Sequence, residues 1–323
     1  MNTLAIVIPA YKEKFFYQTL ETIANQTCKD FTLYIGDDAS PDKLEEIVNR
    51  YVDKIRILYQ RFPENLGGKD LIAHWERCVD LVRDEEWIWF FSDDDVMTNN
   101  CVEGFYETLK LYSADNLHNK ILRFNLSITD QNLNIVQKYL TPATFSVEYF
   151  LEKQFISHTL ANRAVEFIFS KEAFYDKGKF VKFPLAWGSD KATILKLGQP
   201  GGFITMVKGE VLWRSSDFNI SGISDKALDI QKNLALNQRN QWMFAFIQDF
   251  RKHRFFYGMV YRIMHHITYY QAFSIIRERG LEDNKLKCNI WLLGVFVKLK
   301  RIIRFKQIKQ TVSGLSKRKS KAA

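Results

Sequence analysis

The stretch "LAIVIPAYKEKFFYQTLETIANQTCKDFTLYIGDD", residues 4–38, decides the fold. Its first seven residues are apolar and rich in β-branched side chains, as a buried strand requires. The next segment spaces Phe16, Leu20, Ile23 and Ala24 at helical intervals, and "DFTLYIGDD" returns to strand character. Outward from there the alternation continues. "PDKLEEIVNRYV" reads as a helix opened by Ser40 and Pro41, "KIRILYQ" as a third strand, "GKDLIAHWERCVDLV" as a helix and "EWIWFFS" as a fourth strand. Strands joined by helical crossovers lie parallel, with helices covering both faces of the sheet. The expected fold class is therefore α/β, Rossmann-like, with a mostly parallel sheet. In such sheets ligands bind beyond the carboxyl ends of the strands, where the strand order reverses. Tyr11, Asp37 with Asp38, residues 65–68 and residues 93–95 all fall just after expected strands, so the fold would gather them on one edge.

The last of these positions is the most costly. "WIWFFSDDDVM", residues 87–97, runs a buried strand into Asp93, Asp94 and Asp95, three carboxylates that repel one another and resist desolvation. A solvated turn or a helix N-cap would accommodate them. Convergence of several polar segments on the same edge favours a site. Clustered carboxylates suit a hard divalent cation such as Mn²⁺ or Mg²⁺, whose remaining ligands come from phosphates and water. Such an ion on a diphosphate stabilises the charge of a departing nucleoside diphosphate. The chain has no GxxxxGKS or GxxxxGKT loop and no GxGxxG, which argues against a P-loop ATPase and a dinucleotide oxidoreductase.

With 323 residues, 46% hydrophobic and 15% aromatic, the chain can bury a large core. Its four cysteines show no CxxC spacing and its six histidines no metal-ligand pattern, as expected of a reduced, cytoplasmic compartment. The apolar start lacks a basic leader and is interrupted by Pro9, so it reads as a strand rather than a signal peptide. The net charge of +9 suggests nucleic acid until its distribution is considered. Between Lys298 and Lys321 lie ten Lys or Arg and no acid; the rest of the chain is nearly neutral, and no nucleic-acid partner is expected.

Past residue 116 the pattern shifts to strands and turns: "KILRFNLSI", "NIVQKYL", "AVEFIFS" before a helix "KEAFYDKG", then "GGFITMVKGEVLWR". From about Ser224 it reads as helix. The expected organisation is a catalytic domain over residues 1–220, with halves of about 1–115 and 116–220, followed by a helical C-terminal region, 221–323, with a basic tail. In that tail Leu292, Val295, Phe296, Leu299, Ile302 and Ile303 form an apolar helical stripe beside the Lys and Arg residues. The run is far shorter than the ~20 residues a bilayer crossing needs. A helix lying on the anionic inner face of the cell membrane fits this pattern, and so does a helix packed on the catalytic domain.

"AIVIPAYKE", "TLETIANQTCKDFTLYIGDDASPD", "ENLGG" and "WFFSDDD", in this order and spacing, resemble the family 2 glycosyltransferases of the GT-A fold, inverting enzymes that use nucleotide-activated sugars. The similarity covers roughly residues 4–215. It implies that the segment holding Pro9, Tyr11 and Glu13, together with Asp37 and Asp38, holds the nucleobase and ribose, and that Asn65, Gly67 and the adjoining Lys69 lie near the nucleotide. It sets Ser92, Asp93 and Asp94 on the metal-binding Asp-x-Asp, with Asp94 as the direct ligand and Asp93 or Asp95 assisting. Either Asp93 or a neighbour would touch ribose. The resemblance also implies a base before a downstream helix, where "FPLAWGSDKATILKLG" offers Asp190, with Trp187 placed to stack on a sugar. Arg214 matches an arginine near the diphosphate. Departures are Lys12 and Ser92, where Asn and Asp are usual, and the lack of a His after Arg214. The expected function is transfer of a sugar, UDP-linked by family habit, to an acceptor hydroxyl of a cell-surface polysaccharide or lipid-linked glycan. Two rivals are a sugar-phosphate nucleotidyltransferase, which needs a glycine-rich loop that "PAYKEKFF" lacks, and a non-catalytic nucleotide-sugar binding module.

Overall fold

The computed structural model describes residues 3–112, 117, 119–155, 159–216 and 226–248. Residues 1–249 group as one compact unit. The apolar stripe and basic tail expected beyond residue 249 lie outside the described residues.

The expected alternation forms. β1 (Leu4–Ala10), α1 (Phe16–Ala24), β2 (Phe31–Asp37), α2 (Leu44–Val48), β3 (Ile57–Arg61), α3 (Leu71–Val79) and β4 (Trp87–Phe90) follow one another. β1, β2 and β4 are buried on nearly every residue, as strands covered on both faces must be. α1 buries Phe16, Leu20 and Ile23, the residues its spacing singled out. α3 starts at Asp70, whose side chain accepts from Ala73 N at 3.0 Å. α2 is a single short turn and a half, shorter than the twelve-residue helix its sequence suggests.

Downstream come β5 (Val96–Met97), α4 (Cys101–Leu111), β6 (Ile121–Thr129), β7 (Ile135–Tyr139), β8 (Thr144–Phe145), α5 (Val147–Phe155), β9 (Phe167–Ser170), α6 (Lys171–Asp176), α7 (Ser189–Gly198), β10 (Phe203–Arg214) and α8 (Lys226–Gln248). Among the described residues the strands form a single sheet of order β3-β2-β1-β4-β9-β6-β10-β5, with β7 on β6 and β8 on β10. β3, β2, β1, β4, β6 and β10 run the same way, while β9 enters antiparallel between β4 and β6. The sheet is thus mostly parallel.

Two features anchor the second half to the first. Trp89 of β4 donates from Nε1 to Val165 O at 2.7 Å and stacks on Phe124 of β6, centroids 4.7 Å apart. Arg123 and Glu166, both fully buried, pair at 2.6 Å, and Arg123 Nη2 also donates to Ala161 O at 3.1 Å. α8 packs on α7 and on the turn 184–186, where Phe183, Ala192 and Ala235 form a small apolar cluster with Trp187 and Trp242.

Candidate active site

Three strand ends build the site. β1 stops at Ala10, β2 at Asp37 and β4 at Phe90; the register sets Ala10 beside Asp37 and Val7 beside Phe90. Phe91 N donates to Val7 O at 2.8 Å, so the residues after β4 continue alongside the end of β1. These two strands also mark the reversal of strand order, since the chain steps outward from β1 through β2 to β3 and then crosses back to β4.

Asp93 joins the loops. Its Oδ2 accepts from Tyr11 N and Lys12 N, both at 2.9 Å. Ser40 Oγ donates to Tyr11 O at 2.6 Å and Asp38 N to Ala10 O at 3.0 Å, which attaches the loop after β2. Glu13, exposed, donates from its backbone N to Asp42 Oδ2 at 3.1 Å, and Pro9 lies within β1 opposite Gly36.

Asp37 and Asp38 turn their carboxylates into the protein. Asp37, fully buried, accepts from Ser40 N at 2.7 Å, Tyr59 Oη at 2.5 Å and Arg61 Nη1 at 2.7 Å. Asp38 accepts from Leu66 N at 2.9 Å and Gly67 N at 2.8 Å, and Arg77 Nη2 donates to it as well. Position 67 must be glycine for this grip, because a Cβ there would come within 2.5 Å of Asp38 Oδ2. Arg77 Nε also donates to His74 Nδ1 at 3.1 Å. Burial holds the pKa of His74 down to about 4, so the ring is neutral with Nδ1 as acceptor. Its 3.3 Å approach to Asp38 therefore carries no shared proton, and Arg77 supplies the counter-charge. Asn65 Oδ1 accepts from Gly68 N at 2.6 Å. Lys69 stands exposed and pairs with Glu64 at 3.4 Å.

The three aspartates differ in what they face. Asp95 is buried: Oδ1 accepts from Arg214 N at 2.7 Å and Oδ2 from Ser92 Oγ at 2.6 Å. Arg214 is buried too, and donates to Asp94 O at 2.8 Å, Gln131 O at 2.6 Å and Gln18 Oε1 at 2.7 Å, with its guanidinium 4.1 Å from the Phe15 ring centroid. These contacts set the shape of the loop. Asp94 remains half-buried, and burial, then the charge of Asp93, pushes its pKa up to about 6. Burial, then the charge of Asp94, raises Asp95 as well.

An ion fits this donor set. Asp94 beside Asp93 offers two carboxylates at the strand ends, and Mg²⁺ commonly takes one or two carboxylates plus substrate phosphates. Among the described residues no three His, Cys, Asp or Glu side chains converge as a cage, so the remaining ligands would be phosphate oxygens and water. The stress on Asp94 predicts a measurable effect without ligand. A raised carboxylate pKa means that the ionised group costs stability: the contribution is intact below about pH 4 and lost as pH rises through about 6. Two pKa units correspond to at most about 3 kcal/mol. In EDTA, Asp94→Asn should therefore raise the thermal midpoint by several degrees at about pH 8 and leave it unchanged at about pH 4. Equal midpoints at both pH values would show that Asp94 is under no such stress.

Asp190 is the second residue of α7. Gly188, not Asp190, occupies the cap position, at φ 86° and with no side-chain cap. The preceding turn holds Leu185 at φ 56° and Ala186 at φ 53°. Non-glycine residues in the left-handed region cost about 1–3 kcal/mol each, and such strain collects at functional sites. Trp187 packs against the α7–α8 apolar cluster, with Lys232 Nζ 5.1 Å from its ring centroid. From the aspartate loop, Asp190 is reached through Trp213, whose ring centroid lies 4.1 Å from the Arg163 guanidinium, and through Lys191, within electrostatic range of both Arg163 and Asp190.

Direct hydrogen bonds thus join Tyr11, Asp37, Asp38, Gly67, Asp93, Asp95 and Arg214 to the loops of one edge, while Lys69 faces solvent. Arg61, Arg77 and Gln18 had no local signal: each sits in or beside a regular element, and its partner lies 24, 39 or 196 residues away.

The family model described as glycosyl transferase family 2 matches residues 5–169, just over half of the chain. Over 149 residues the chain is 27% identical to the glycosyltransferase GlyG of Streptococcus pneumoniae serotype 4, covering 45% of this chain and 46% of that protein. It is 40% identical over 67 residues to validoxylamine A glucosyltransferase of Streptomyces hygroscopicus subsp. limoneus, covering 20% and 15%. It therefore spans about half the length of the first relative and less of the second. Among solved structures, S. aureus TarS 1–349 in complex with UDP-GlcNAc superposes with a TM-score of 0.58 at 14% identity, covering 89% of this chain and 79% of that one, a likeness of fold.

Proposed function

The chain belongs to glycosyl transferase family 2 and has the GT-A fold, and on that premise we propose that it transfers a sugar from a nucleoside diphosphate to an acceptor hydroxyl with inversion. The observation that carries the reading is Asp94: a half-buried carboxylate with a raised pKa, beside Asp93, at the strand ends where strand order reverses. Loops 11–13, 40–42 and 65–68, fastened by Asp93, Asp37 and Asp38, form the walls between which the nucleotide lies. Asp94 with Asp93 would hold Mn²⁺ or Mg²⁺, which when bound offsets the charge of the departing diphosphate. Asp190 takes the proton of the attacking hydroxyl. As that oxygen bonds to the anomeric carbon, the carbon–oxygen bond to the diphosphate breaks and its electron pair leaves with the nucleotide. Arg214 acts through the loop: its three donors hold Asp94 O, Gln131 O and Gln18 Oε1 and so fix the backbone that carries Asp94.

TarS is in complex with UDP-GlcNAc, and UDP-linked sugars are accordingly the first donors to try. A screen of nucleotide sugars for hydrolysis or transfer by the purified protein, with and without EDTA, tests the reading. Release of nucleoside diphosphate from none of them would overturn it.

The acceptor belongs to a cell-surface polysaccharide or lipid-linked glycan, and the enzyme works peripherally at the inner face of the membrane. Among the described residues no helix is long and apolar enough to cross a bilayer. The support is in the sequence: ten Lys or Arg and no acid lie between Lys298 and Lys321. Each basic residue near an anionic surface contributes about 1 kcal/mol. The full chain should cosediment with anionic liposomes more than a chain ending at Asn289, and less so as salt rises. Equal partitioning would remove the membrane from the proposal.

A further inference from the structure

Beside Asp190 stand Lys191 and Arg239, and Arg163 lies within electrostatic range of Lys191. Lys191 lies within electrostatic range of Arg163, Arg239, Asp190 and Glu166, and Asp190 is the acid that faces both Lys191 and Arg239. Glu166 is already committed, fully buried against Arg123. Among the described residues the Lys191 ammonium makes no hydrogen bond or ion pair, although it is half-buried. Among the described residues Arg239 Nη2 donates to the neighbouring Asn240 Oδ1 at 3.4 Å, and Arg163 donates from Nη1 to Asn162 O at 2.8 Å while its guanidinium lies over Trp213. Burial lowers the pKa of Lys191 and Arg239, as befits cations denied part of their water.

The arrangement is built into the turn that delivers Asp190. A Cβ at Gly188 would come within 2.7 Å of Arg239 Cδ, and the φ of 86° at that position suits glycine. The Arg239 stem therefore lies directly on the turn before the proposed base. A half-buried ammonium without an acceptor, beside one arginine held by a 3.4 Å hydrogen bond and within electrostatic range of another that donates to a backbone carbonyl, calls for an anion, and a carboxylate that must accept a proton during turnover does not neutralise such a group throughout. The donor diphosphate has its own place at Asp94. We propose that Arg163, Lys191 and Arg239 bind a phosphoryl group carried by the acceptor, so that the substrate class is a phosphate-bearing polyol or sugar whose hydroxyl meets Asp190. This rests on the transferase reading and names its acceptor chemistry. Arginine's planar fork suits phosphate oxygens, and Lys191 adds a point charge.

Lysine labelling of the full chain tests the site without turnover. The protein is treated with acetic anhydride and the extent of modification at each lysine is read by mass spectrometry, with glycerol 1-phosphate or glycerol as competitor, and with or without UDP and Mn²⁺. Glycerol 1-phosphate should lower the modification of Lys191 several-fold, glycerol should not, and the protection should persist with UDP and Mn²⁺ present. Lys177 and Lys196, whose ammonium groups donate to backbone carbonyls, serve as internal controls and should not respond. Arg239→Gln should raise the half-protecting concentration about tenfold while leaving UDP binding unchanged; if that variant does not fold, the wild-type labelling still decides. No protection at saturating phosphate ester overturns the proposal, as does equal protection by glycerol. Loss of protection when UDP and Mn²⁺ are added also overturns it and assigns the cations to the donor. Protection in a protein that turns over no nucleotide sugar would leave the phosphate site standing and sink the transferase reading instead.

Discussion

Asp94→Ala is expected to reduce sugar transfer by roughly 10³-fold, the equivalent of about 4 kcal/mol of transition-state stabilisation, while the protein remains folded. The size follows from the lack of a substitute. Asp93 is held in place by two backbone donors, Tyr11 N and Lys12 N, and Asp95 has both carboxylate oxygens engaged by Arg214 N and Ser92 Oγ. Neither can swing to replace Asp94 without releasing a loop. Folding should survive because the hydrogen bond from Arg214 to residue 94 goes to its backbone carbonyl, which the alanine variant keeps. The measurement is the transfer rate with each variant, with and without excess EDTA. EDTA should remove activity from the wild-type chain to the same level and should change the Asp94→Ala variant no further, since both act on one interaction. Full wild-type activity in EDTA would sink the metal-dependent reading.

Much of the nucleotide half was legible because its information is local. β1, α1 and β2 are separated by clear changes of period within 34 residues, and burial on both faces makes their strands continuous apolar runs. The carboxyl-end rule then places Tyr11, Asp37, Asp38 and residues 93–95 on one edge. The division of labour among the aspartates was not legible. Asp94 and Asp95 are chemically identical neighbours, and what separates them is the backbone N of Arg214, supplied by β10 from 119 residues away. The same holds for Asp37 and Asp38. Their sequence shows two acids at a strand end, while Arg61 and Arg77, which turn both side chains inward, come from β3 and α3. The insertion of β9 antiparallel between β4 and β6 is likewise a matter of long-range pairing. "AVEFIFS" identifies a strand but carries no record of its neighbours.

Asp190→Asn is expected to lower the transfer rate by ~10²-fold or more with donor binding little changed, because the amide keeps the size of the side chain and cannot accept a proton. The structure separates this from a capping role. Gly188 holds the cap position of α7 without a side-chain contact, so Asp190 stands inside the first turn and its replacement removes no cap. Two left-handed non-glycine residues, Leu185 and Ala186, are maintained in the turn that leads to it, a backbone cost that a mere helix start does not require. Loss of the negative charge also leaves Lys191 and Arg239 with less compensation, so a moderate fall in thermal midpoint is expected alongside the loss of rate. Rate per folded molecule is therefore the deciding quantity. The stereochemistry supplies an independent check: a base that deprotonates an acceptor attacking from the face opposite the diphosphate yields a product of anomeric configuration opposite to the donor, visible by proton NMR. Retained rate per folded molecule in the Asn variant, or a product with the donor's own configuration, would remove Asp190 from the chemistry and leave it as a charge that balances its two cationic neighbours.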